Sequence, residues 1–66
     1  MRWNDINQIV ESLEDIYANE DIPEDDLKYL HEMILSIPEF EDHDREVSDD
    51  HLENIIEHWS DIRKNL

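Results

Sequence analysis

Sixty-six residues without a cysteine place this chain near the lower limit at which one hydrophobic core can hold a fold, with no disulfide to support it. Twenty Asp and Glu against five Lys and Arg give a formal charge of -15, which would repel a phosphate backbone and argues against direct nucleic-acid binding. The missing cysteine also excludes a thiolate zinc site, a cysteine nucleophile and a cysteine-held iron-sulfur cluster.

Asn4 and Asp5 can each cap a helix, and beyond them apolar residues recur at Ile6, Ile9, Val10, Leu13, Ile16 and Tyr17. This spacing predicts a first helix that fades near Asn19, with one buried face. Glu11, Glu14 and Asp15 fall on the opposite side, and Trp3 precedes the cap, where it can fold back onto the core. In the middle segment Pro23 suits a helix start, and Leu27, Leu30, Met33, Ile34 and Ile37 keep helical spacing up to Pro38. A short extended piece over residues 27–29 is the alternative there. Residues 39–47 read as an irregular, exposed acidic connection anchored by Phe40. Ser48 then caps a last helix, with Asp49 and Asp50 at its positive end, Arg63 and Lys64 at its negative end, and Leu52, Ile55, Ile56, Trp59 and Ile62 along its buried stripe.

With 38% hydrophobic residues and two tryptophans the chain is expected to be globular, a single domain over residues 1–66. No apolar run approaches a membrane span, and the start MRWNDINQ has no signal-type hydrophobic segment, so the expectation is a cytoplasmic protein. Glycine is absent, which disfavours phosphate-cradling loops and nucleophile elbows.

Residues 39–53, EFEDHDREVSDDHLE, hold eight acids, and three readings compete for them. Asp42, Asp44, Glu46, Ser48, Asp50 and Glu53 occupy the odd and twelfth positions of an EF-hand loop, but Val47 stands where that loop needs glycine for its sharp turn. Glu41, Asp42 and Asp44 around His43 could offer oxygen ligands and an imidazole to ferrous iron or manganese, in an open and weak site. Alternatively the run is a solvated acidic loop or a docking surface for a basic protein. Glu53, Glu57 and Asp61 stack like charges at four-residue steps along the last helix, a cost that a covering cation or Arg/Lys patch relieves; Glu11 and Asp15 repeat the pattern on the first helix. His51 and His58 lie about 10 Å apart by helix rise, too far to share an ion, and a surface role is expected for both. His31 borders the apolar stripe as a partly buried structural histidine. None stands in a nucleophilic arrangement, and the chain is expected not to be an enzyme.

In order, spacing and acidity, these features resemble the IscX (YfhJ) family, small acidic proteins of bacterial iron-sulfur cluster assembly. The resemblance runs from Trp3 to Trp59. It rests on Trp3-Asn4-Asp5, Ile9, Glu11, Leu13, Asp15, Tyr17, His31, Ile34, Phe40-Glu41-Asp42, and Leu52 to Ile55 with Trp59. The chain departs from the family pattern in lacking a proline after Tyr17, a Phe-Thr-Asp at residues 27–29 and a tryptophan at Met33. The resemblance implies a mainly α, three-helix, modified winged-helix-like domain with at most a short extended segment. It also implies docking on the cysteine desulfurase in possible competition with frataxin, and weak binding of iron by surface carboxylates. By this resemblance Asp5, Glu11, Asp15, Glu41, Asp42, Asp44, Glu53 and Asp61 are the partner-binding acids, and Glu41, Asp42 and Asp44 the metal-binding set. A monomer is expected, with no nucleic-acid or membrane partner. The alternative function is an acidic DNA mimic that inhibits a basic nucleic-acid-binding protein.

Overall fold

Ile6, Ile9, Val10 and Leu13 return every three or four residues, and the chain winds them into α1 (Ile6–Ile16), the first of three helices in a computed structural model that describes residues 1–65. Asp5 occupies the N-cap without a side-chain cap bond. Its Oδ2 instead accepts the Arg2 amide at 2.9 Å, and its own amide donates to Arg2 O at 3.0 Å. That turn swings Trp3 inward, where the ring is 1% exposed.

The second helix, α2 (Leu27–Leu35), begins four residues later than Pro23. Asp26 is its cap: the carboxylate accepts the Tyr29 amide at 3.1 Å, while Pro23 contributes its carbonyl to the preceding turn. A side-chain acceptor for an orphan helix N–H outweighs the mere compatibility of proline with a first turn. Residues 27–29 are therefore helical, and the extended alternative is not realised; the described residues contain no strand. The third helix, α3 (Asp49–Lys64), follows its sequence signals closely. Ser48 Oγ accepts the His51 amide at 3.2 Å, with Asp49 and Asp50 in the first turn and Arg63 and Lys64 in the last.

One cluster of apolar side chains joins the three helices: Ile9, Val10 and Leu13 from α1, Leu30, Met33 and Ile34 from α2, and Leu52, Ile55, Ile56 and Trp59 from α3. Trp3, Ile37 and Phe40 enter from the connections, so the acidic run is pinned at Phe40 as its sequence suggests. The principal seam is α1 along α3. Ile16 departs from expectation: although it keeps the apolar spacing, it is 48% exposed. α1 ends there, and Tyr17 turns inward in its place, its hydroxyl 2.9 Å from Ser36 Oγ. Every turn is built without glycine and without a positive φ among the described residues.

Candidate functional site

The acidic connection is held from the N-terminal segment, by bonds that mostly use the backbone. Trp3 Nε1 donates to Asp42 O at 3.1 Å. The Glu41 amide donates to Met1 O at 2.9 Å, and the N-terminal ammonium reaches Glu39 O at 2.9 Å and Glu41 Oε2 at 3.3 Å. These contacts leave most side chains of the connection to solvent: Glu39, Glu41, Asp44 and Glu46 are exposed.

Histidines surround the same anchor. His31 stacks on Trp3 with ring centroids 5.1 Å apart and planes 3° from parallel, while Phe40 and His51 meet that indole edge-on. His51 Nε2 donates to Trp3 O at 2.8 Å, so it is a tie between α3 and the N-terminal segment rather than a surface group. His58 is half-buried, its Nδ1 donating to Asn54 O at 2.9 Å. His43 is exposed, stacks on Phe40 and donates to Phe40 O at 2.9 Å.

At the other end, the α1–α3 seam is closed by Glu14, which the sequence places on the outer face. Its Oε1 accepts both Trp59 Nε1 and Arg63 Nε at 2.9 Å. The remaining guanidinium nitrogens reach across to the α1–α2 connection, Nη1 to Glu20 O at 2.7 Å and Nη2 to Tyr17 O at 3.1 Å, with the cation 5.2 Å from the Trp59 ring centroid. The Trp59 hydrogen bond, aided by the bond and charge of Arg63, holds the Glu14 carboxyl below the usual glutamate range against the opposing effect of desolvation. Nearby, Tyr29 donates to Glu20 Oε1 at 3.3 Å, and the charge of Glu20 pushes the phenol pKa up. The pairing of Glu14 with Trp59 and Arg63 escaped the sequence reading because these partners lie 45 and 49 residues away. One signal was present, since Glu14 follows the buried Val10 by four residues and so borders the seam.

Among the sequence-predicted acids, Asp5, Glu11, Asp15, Glu41, Asp44, Glu53 and Asp61 are exposed and Asp42 is half-buried. Glu11 and Asp15 line a shallow groove of about 360 Å³ with Glu14 and Ile62, between α1 and α3. Asp61 borders a separate groove with Glu24, Glu57, His58 and Lys64. Asp42 Oδ2 is buried without a hydrogen-bond partner, and Arg45 Nη1 stands 3.9 Å away. Glu41, Asp42 and Asp44 are neighbours in sequence, yet no three His, Asp or Glu side chains among the described residues are grouped so as to hold one metal ion. Within 4.0 Å of a cation stand Glu14, Glu41 and Asp42. The other acids of the described residues carry their charge without an ion pair.

No helix among the described residues is long and apolar enough to cross a membrane. A family model described as iron-sulphur cluster assembly matches residues 1–64. No curated protein and no solved structure matches the chain.

Proposed function

The chain belongs to the iron-sulphur cluster assembly family, the family of IscX, and on that premise we propose that it is a non-enzymatic adaptor that docks by its acidic surface on the cysteine desulfurase. One observation carries the reading. The fold turns Arg63, its best-engaged cation, inward onto Glu14 and two backbone carbonyls, and leaves nearly all of the twenty acids without an ion pair. A surface of that charge costs self-repulsion in the free protein and gains most when Arg and Lys of a partner cover it. Glu11 and Asp15 on α1, Glu53 and Asp61 on α3, Asp5 before α1, and Glu41, Asp42 and Asp44 in the connection are the contacts proposed, each as a charge-assisted pair.

Iron enters this reading as cargo. The all-oxygen donors of Glu41, Asp42 and Asp44 suit ferrous iron in kind, but no three of the described donors are grouped around one position, so the binding proposed is weak and exchangeable. Iron and the desulfurase compete for the same carboxylates, and frataxin competes for the same face of the desulfurase. The architecture that goes with this reading is a modified winged helix, and the setting is the cytoplasm.

Calorimetry against purified cysteine desulfurase at low and moderate salt tests the proposal, beside a variant with Glu41, Asp42 and Asp44 changed to Ala. Saturable binding that weakens with salt and with the triple change is expected. A basic control protein of similar charge should bind less tightly. Absence of a desulfurase complex would sink the adaptor reading, and tight binding to a nucleic-acid-binding protein instead would favour an acidic groove mimic.

A further inference from the structure

Ile16 and Tyr29 are the exposed large hydrophobic residues of the described chain, and their situations differ. Tyr29 keeps a hydroxyl on Glu20, which accounts for its place at the surface. Ile16 has no polar atom to hydrate. It lies in a shallow groove of about 230 Å³, lined by Ser12, Asp15, Pro38 and Glu39. A single exposed aliphatic residue is unremarkable on a convex surface. In this shallow concavity it differs, because an apolar group seated on Ile16 also meets Pro38.

The groove is held in shape from both sides. Ile16 stands at the end of α1, and Glu39 is fixed through its carbonyl by the N-terminal ammonium at 2.9 Å. Its acids, Asp15 and Glu39, are exposed and neither carboxylate has a cation within 4.0 Å, so Ile16 and Pro38 are flanked by negative charge that no side-chain cation pairs. Asp15 also lines the groove of Glu11, Glu14 and Ile62, which makes this charge continuous with acids of the proposed docking surface.

We infer that this groove takes one leucine-sized apolar side chain of the partner, presented between Arg or Lys residues that pair with Asp15 and Glu39. The inference rests on the docking reading and adds to it an apolar anchor. Charge supplies approach and orientation, whereas the buried side chain supplies salt-independent affinity and distinguishes one basic surface from another. A chain of net charge -15 would otherwise attract every basic protein alike.

Two measurements test it. In the first, the peptides acetyl-Lys-Arg-Leu-Arg-Lys-amide and acetyl-Lys-Arg-Ser-Arg-Lys-amide are titrated into nitrogen-15-labelled protein. The leucine peptide should bind about fivefold tighter, with shifts centred on Ser12, Asp15, Ile16 and Glu39. Equal affinities, or shifts centred elsewhere, overturn the groove whatever the partner proves to be. In the second, Ile16→Ser and Ile16→Leu are compared with the parent chain for desulfurase binding across salt, after melting curves show that both variants fold. Ile16→Ser should weaken binding about tenfold with an unchanged salt slope, and Ile16→Leu should retain it. Parent and Ile16→Ser binding equally well would reject the anchor and leave charge docking intact. If the parent chain fails to bind the desulfurase, the docking reading falls, and the peptide titration alone decides the groove.

Discussion

At the α1–α3 seam one carboxylate serves an indole and a guanidinium, and the same guanidinium satisfies two carbonyls of the next connection. At the acidic connection the bonds are made mainly by backbone and by Trp3, while the carboxylates of Glu39, Asp44 and Glu46 are exposed and unpaired. Both ends use a tryptophan as the pivot, and only one spends its acid on the fold. The carboxylate that supports the fold and those left exposed are thus different ones, although both ends draw on the same abundance of Asp and Glu.

Removing an indole should break either end, and the loss is largest at Trp3. Trp3→Ala takes away a fully buried ring, the donor to Asp42 O and the surface on which His31 stacks. A loss of about 3–5 kcal/mol in urea unfolding is expected, close to the whole stability of a domain this small. Next comes Arg63→Met, which keeps much of the apolar stem over Trp59 while stranding the Glu14 charge and two carbonyls. It should cost about 1–3 kcal/mol by the same measurement.

Glu14→Gln is milder, about 1 kcal/mol, and its signature is the pH profile. Because the folded pKa of Glu14 is depressed, its contribution is full above the ordinary glutamate range. It is lost as pH falls below about 4.3 toward the folded value, and Glu14→Gln should flatten that acid limb of unfolding free energy against pH. A limb as steep as the parent's would deny Glu14 its special place. Smallest of all, Glu41→Gln with Asp44→Asn should move stability by less than about 0.5 kcal/mol, while Glu57→Gln on α3 should raise it by a few tenths of a kcal/mol through relief of i, i+4 repulsion. A large loss from the Glu41 and Asp44 pair would mean that the connection, too, spends its acids on the fold.

What was legible in the sequence follows the range of the interaction. The stripe of α3, its Ser48 cap, its charged ends and the Phe40 anchor are decided within a few residues, and each stands as the spacing predicts. Asp26 over Pro23 as the start of α2 was a contest between two local signals, resolved by a hydrogen bond that proline cannot supply. The outward reading of Glu14 and the surface reading of His51 failed for another reason. Their partners are set by how α3 lies against the N-terminal part of the chain, which no periodicity within one helix encodes. Ile16 was misplaced by the same blindness, since it keeps the rhythm of the stripe while the helix ends beneath it. The acids of the candidate docking surface were legible as acids, and the freedom of Asp5, Glu11, Asp15, Asp44, Glu53 and Asp61 from ion pairs was not.

The tie from His51 to Trp3 O and the tie from Arg63 to Glu14 span 48 and 49 residues, and both are made by α3. These two ties at the ends of α1 therefore form only when α3 docks. Closing contacts so distant in sequence is the slow part of the search. Folding should accordingly be a single cooperative event, and removal of α3 should leave residues 1–48 without a stable fold of their own.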